Sequence, residues 1–197
     1  MTDAIARVPL RERLREKLPE ILIEAGSIVI ALLLAFAVNA WNERRQESER
    51  AEAARSAILA ELRANQQEID SARGTLKDIV ATLQGALDGS KPATHELNVN
   101  LGISLLSSAA WRTTLATQTS QRIDFAWITR VAKLYELQDN FLRVQNAAVD
   151  QLAALSPGEV DSGRQVASLL LPRLRTLVQL ADGLAASYAE ILAAPPR

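Results

Sequence analysis

A run of 21 residues near the start of the chain, Ile21-Leu-Ile-Glu-Ala-Gly-Ser-Ile-Val-Ile-Ala-Leu-Leu-Leu-Ala-Phe-Ala-Val-Asn-Ala-Trp41, carries a single charge. As a helix it would be roughly 31 Å long, which matches a hydrocarbon core of about 30 Å. Its eleven Ile, Leu, Val and Phe residues favour insertion by roughly 3–7 kcal/mol. A carboxylate at mid-membrane would cost about 2.5–3.5 kcal/mol, but Glu24 lies in the first turn, where the cost is lower. The segment therefore reads as a transmembrane helix over 21–41, with Trp41 and the pair Arg44-Arg45 placed as an interface anchor. A buried helix of a soluble protein is the weaker alternative, because Ala25 to Val38 contains nothing more polar than Ser27. A cleaved signal peptide is the stronger rival, since Ala35-Phe36-Ala37 and Val38-Asn39-Ala40 both resemble small-residue cleavage sites. The apolar stretch exceeds a usual signal core and runs without Gly or Pro into a helical sequence, so an uncleaved anchor is expected.

Sidedness is weakly encoded. Arg7, Arg11, Arg13, Arg15 and Lys17 precede the span, and Arg44, Arg45, Arg50 and Arg55 follow it, almost no bias under the positive-inside rule. A short tail before an uncleaved anchor commonly stays in the cytoplasm, which places the large domain on the other side. Within the tail (1–20), Leu10, Leu14 and Leu18 lie four apart between Pro9 and Pro19. They suggest an interfacial amphipathic helix, with a partly disordered charged tail as the alternative.

After Trp41 the chain is helical in composition, rich in Ala, Leu, Gln, Arg and Glu. Residues 42–57 lack large apolar side chains and read as a solvated helical stalk continuous with the span. From Ile58 the residues Ile58, Leu62, Asn65, Ile69, Ala72, Leu76, Ile79, Leu83 and Ala86 alternate in steps of four and three, a coiled-coil-like seam. Gly74 lies off that seam, so the helix is expected to continue to about Asp88. A loop over Gly89–His95 follows, then a short helix around Asn100 to Leu106. Another helix, opened by Ser107 or Ser108, carries Trp111 and ends in the polar run Thr117–Gln121. A long helix from about Arg122 to Leu155 repeats the rhythm with Trp127, Val131, Leu134, Gln138, Phe141, Gln145, Ala148 and Leu152. Ser156-Pro157-Gly158-Glu159 is a capping box. The last helix carries Leu170, Leu174, Leu177, Ala181, Leu184, Tyr188 and Ile191, with Pro172 inside it and Pro195-Pro196 at its end. The fold class is all-α: a transmembrane helix, a stalk, and an antiparallel helical bundle over 58–197.

Several short elements carry a resemblance. Gly26 to Arg45 ends in Asn39-Ala-Trp-Asn-Glu43, Ile58-Leu-Ala-Glu-Leu62 follows, and Ser108-Ala-Ala-Trp111 and Leu134-Tyr135 come later. Over about residues 20–145 the chain resembles a group of bacterial single-pass proteins to which no function is assigned. In that group an apolar span ends in Asn-x-Trp-Asn-Glu and leads into a charged helix. The resemblance implies the topology and a bacterial origin; with the sidedness read from the short tail, the expected location is a bacterial inner membrane, N-terminus cytoplasmic and C-terminal domain periplasmic. It implies no activity.

Chemistry is sparsely indicated. The chain of 197 residues has no cysteine and one histidine, His95, which removes thiolate metal sites, cysteine nucleophiles and the base of a Ser-His-Asp triad. No Gly-rich phosphate loop is present, and no paired carboxylates sit beside a pocket-like segment. No catalysis, cofactor or metal is expected. The 22 Lys and Arg nearly balance the 23 Asp and Glu, so nucleic acid is not an expected partner. Glu24, an intramembrane carboxylate, is a functional candidate by default, although its shallow position favours a side chain reaching the headgroups. Ser27, Ala31, Ala35 and Asn39 recur every four residues and could admit a second helix at close range, but alanine-rich spans show such rows by chance. Asn65, Gln138 and Gln145 interrupt the seams. They either set register or mark where a stripe meets the surface, and the second reading carries more weight. Trp111 and Trp127 read as core anchors and His95 as a solvated loop residue. The expected partners are the lipid bilayer and a protein partner or like subunit. The expected role is a membrane-anchored interaction or scaffold protein. The alternative is an extracytoplasmic small-ligand sensory bundle that signals through a separate partner.

Overall fold

The computed structural model describes residues 10–90, 102–154 and 163–195, with side chains from residue 22 onward. The protein is all-α. Helix α1 spans Leu10–Asp88, α2 Ala109–Ala116, α3 Phe125–Ala153 and α4 Gly163–Ala193, with a 3-10 turn at Thr119–Arg122. Pro19 does not break α1, so no separate helix ends there. Met1 to Pro9, His95 and the Ser156–Glu159 capping box lie outside the described residues.

The chain divides into two compact units, 1–49 and 50–197. In the first, the described side chains lie along α1 alone and are exposed almost throughout. The second is a bundle with one core. Ile58, Leu62, Ile69, Leu83, Trp127, Phe141, Leu170, Leu174, Leu177, Leu184 and Tyr188 are its largest fully buried side chains together with Leu134. All of them lie on the three four-three seams, whose spacing puts one side chain per turn on the same helix face. Ile79 and Leu152 are half-buried against the same core. Packing reaches back to Ala51, which is buried, and Ala54, which packs on the core. Part of the stretch expected to be solvated therefore belongs to the bundle. Small residues achieve this because alanine permits close helix approach.

Cross-helix bonds give the topology. Asn65 meets Gln138 and Glu61 meets Tyr135, so α1 and α3 run in the same direction. Lys77 meets Asp182 while Gln84 meets Arg175, so α4 is antiparallel to α1. It is antiparallel to α3 as well, since Arg173 meets the Ala147 carbonyl whereas Gly183 lies opposite Leu137. Two parallel helices need a return connection between them. Residues 102–108 supply part of it as chain without regular secondary structure, not as the short helix expected around Asn100 to Leu106. Gly102 and the β-branched Ile103 disfavour helix there, and the segment finds its hydrogen-bond partners outside itself.

Helix ends follow local chemistry. Gly89, at φ +77°, ends α1 in the left-handed region that glycine enters without strain, and the Ser90 N–H donates to Asp88 Oδ1 at 3.0 Å. Gln118, at φ 55°, turns the chain after α2. Asp124 caps α3, accepting from Trp127 N at 2.7 Å, so α3 starts three residues later than the expected Arg122. α4 runs through Pro172 without interruption.

Candidate functional site

The first candidate is the apolar part of α1. By length and composition this helix can cross a membrane, and none of its most apolar 18-residue window is buried. Ile28, Val29, Ile30, Leu33, Phe36 and Val38 are all more than half exposed, an arrangement water strongly disfavours. Polar groups in this stretch turn back to the helix. The Ser27 hydroxyl donates to the Glu24 carbonyl at 2.7 Å, and the Asn39 amide donates to Glu43 Oε1 at 2.9 Å. Glu24, Ala31 and Ala35 are exposed. At the C-terminal end the Arg45 guanidinium lies 6.0 Å from the centroid of the Trp41 ring and forms an ion pair with Glu49 at 2.9 Å. Arg44 is exposed beside them. A cation over an indole is a favourable contact of about 0.5–1 kcal/mol at exposed sites.

The second candidate, in the bundle, is a polar cluster that sequence reasoning largely missed. The irregular segment 102–108 lies as a strap against both α1 and α3 and is bonded by their side chains. The Ser104 N–H donates to Gln145 Oε1 at 2.9 Å, and the Ser104 carbonyl accepts from Gln145 Nε2 at 3.2 Å. Ser107 makes the same two-way bond with Asn65, at 2.9 and 2.7 Å, and its carbonyl also accepts from Gln138 Nε2 at 3.0 Å. Each amide side chain thus offers a backbone-like donor and acceptor pair. Asn65, Gln138 and Gln145 are buried at 2%, 0% and 6% exposure. The preferred surface reading of these three is therefore wrong. They are interior partners, because a strap without its own backbone ladder needs polar groups where the seams face it.

Glu61 anchors the end of the strap. Its carboxylate accepts from Ser107 Oγ and Tyr135 Oη, each at 2.6 Å, and from the Ala110 and Trp111 backbone N–H groups at 3.0 and 3.4 Å. The two amides belong to the first turn of α2, where a carboxylate also meets the positive end of the helix dipole. Burial pushes the Glu61 pKa up, but the four donors outweigh it and hold the group below its ordinary value. Burial first, then the bond to Glu61 and its charge, push the Tyr135 phenol far above its usual range. Burial, with the Glu61 charge, raises Tyr188 as well. Both phenols are therefore permanent donors, and Tyr188 Oη donates to Gln138 Oε1 at 2.6 Å. The Trp111 ring stacks on Tyr135 at 5.4 Å between centroids and 6° between planes.

Three short elements quoted in the sequence therefore meet here: Glu61, Ser108 to Trp111, and Tyr135. Their convergence was not legible from spacing, since Glu61 and Tyr135 are 74 positions apart. Trp127 is a core anchor, fully buried, while Trp111 is half-buried. Among the described residues no group of three or more His, Cys, Asp or Glu side chains could hold a metal ion. What the cluster does chemically is fix a strap and cap a helix with an ionised carboxylate. Compared with known protein families, curated proteins and solved structures, the chain matches none of them.

Proposed function

We propose that this protein is a single-pass membrane protein whose bundle serves as a non-catalytic interaction or scaffold domain, held by residues 21–41 in a bacterial inner membrane. In this reading the N-terminus is cytoplasmic, the bundle is periplasmic, and the partner is another protein or a like subunit. The observation that carries it is the fully exposed apolar helix, terminated by Trp41 with Arg45 over its ring. Exposed side chains of that kind are stable in hydrocarbon and are an aggregation hazard in water. The resemblance to bacterial single-pass proteins points the same way.

Carbonate washing of membranes tests the anchor: the uncut protein is expected in the pellet, and its recovery in the supernatant would end the reading. Phosphatase and fluorescent-protein fusions at the C-terminus test sidedness, with an active phosphatase and a dark fluorophore expected. Crosslinking of the intact protein in cells tests the scaffold role. A reproducible crosslinked partner or like subunit supports it, and only uncrosslinked chain removes it.

A second reading, a small-ligand sensory bundle signalling through a separate partner, is favoured by one observation. A groove of about 510 Å³ opens between α2 and α3, within the size range of small-molecule sites.

A further inference from the structure

The α2–α3 groove has a chemically mixed lining. Ser108, Trp111 and Arg112 come from one face of α2, and Tyr135, Glu136 and Asp139 from one face of α3. Both stacked rings line it, and because Tyr135 is buried while Trp111 is half-buried, Trp111 offers the more accessible ring surface. Arg112, Glu136 and Asp139 are exposed, and no protein group among the described residues bonds to the side chain of any of the three. Elsewhere in the bundle, basic side chains that cross between helices do find partners, as Lys77 does at Asp182 and Arg173 at the Ala147 carbonyl. Ser108 adds a free hydroxyl. It stands at the N-cap of α2 but makes no capping bond, since Glu61 already takes the Ala110 and Trp111 amides.

We propose that this groove binds a small zwitterion of amino-acid type with a flat apolar body. The Arg112 fork would take the carboxylate, Glu136 and Asp139 the ammonium, and Trp111 the apolar part. The sign pattern selects this class. A ligand that is only an anion meets two carboxylates, and one that is only a cation meets a guanidinium. This inference deepens the sensory reading and rests on it, but not on the anchor or the scaffold role. Failure of the carbonate test would leave it standing.

The test uses the full chain in lipid nanodiscs and follows the Trp111 indole N–H by NMR, assigned with Trp111→Phe. The probes are L-phenylalanine, phenethylamine and 3-phenylpropionate. L-Phenylalanine is expected to shift the signal and to bind more tightly than either singly charged probe, on the order of ten-fold. Arg112→Gln should erase its advantage over phenethylamine. Glu136→Gln with Asp139→Asn should erase its advantage over 3-phenylpropionate. All these positions are exposed, so circular dichroism should be unchanged. An unmoved Trp111 signal at millimolar probe overturns the proposal, because Arg112 then serves only the surface. Equal binding of the three probes, or variants that keep the preference, overturns it too.

Discussion

Glu61 gathers four donors and no basic partner among its bonds. Its charge is therefore balanced by dipoles, two of them from a helix terminus, and not by a counter-ion. Removing such an acceptor leaves donors stranded in a poorly hydrated place, at about 1–3 kcal/mol for each group that cannot find water. Glu61→Ala is accordingly expected to cost about 2–4 kcal/mol, read as a lowered urea midpoint, with Glu61→Gln in between because one oxygen remains. The pH dependence has a definite sign. Since the folded-state pKa lies below the ordinary value, the stabilisation is complete above the unfolded pKa and is lost as pH falls through the folded one. The gap in urea midpoint between the wild type and Glu61→Gln should thus be full at pH 7 and shrink in acid below about pH 4. A gap that grew on acidification would contradict the donor geometry.

At the scale of elements, the strap and the helix ends make separate predictions. Asn65→Ala removes both bonds to Ser107 while leaving the Gln145 pair on Ser104 intact. Amide exchange should therefore rise at Ser107 and change less at Ser104, as hydrogen-exchange mass spectrometry or NMR would show. Gly89→Ala forces a β-carbon into the left-handed region at φ +77°, with an expected cost of about 1–2 kcal/mol. Asp124→Ala should cost about 1 kcal/mol by removing the α3 cap. The helices were legible because each writes its own period: the seams headed by Ile58, Trp127 and Leu170 name the core almost side chain for side chain. The strap was not, because nothing local distinguishes an amide that faces water from one that faces another segment of chain. Asn65 and Gln145 acquire their meaning only once residues 102–108 lie beside them. The Asp124 cap was local and readable, but the seam begins only at Trp127, inside the helix, and so does not mark where the helix starts. Glu61 was visible only as one letter of a motif.

For the whole molecule, the division at residue 49 predicts that the bundle can stand without the anchor. Its core draws on residues from Ala51 to Ile191, so deletion of residues 1–41 should yield a helical, cooperatively melting protein in detergent-free buffer. Circular dichroism and sedimentation check this, and aggregation of the truncated chain would count against it. The converse prediction concerns the anchor. Leu33→Arg in the exposed apolar window should oppose insertion by about 2.5–3.5 kcal/mol, seen as partial release on carbonate washing, while leaving the thermal melt of the bundle unchanged.

The parallel course of α1 and α3 has a consequence for synthesis. α1 contacts α4 at Lys77 with Asp182 and at Leu87 with Arg164, sequence separations of 105 and 77 residues. A ribosome working at about 5–20 residues per second makes the first helix several seconds before it makes the last. The greasy seam of α1 waits for α3 until Ala153 has been made, and for α4 until Ala193. The α3–α4 hairpin is closed by nearer pairs and can form on its own as it emerges. The bonds between the oldest helix and the youngest, Lys77 with Asp182 and Leu87 with Arg164, are thus the last that synthesis permits.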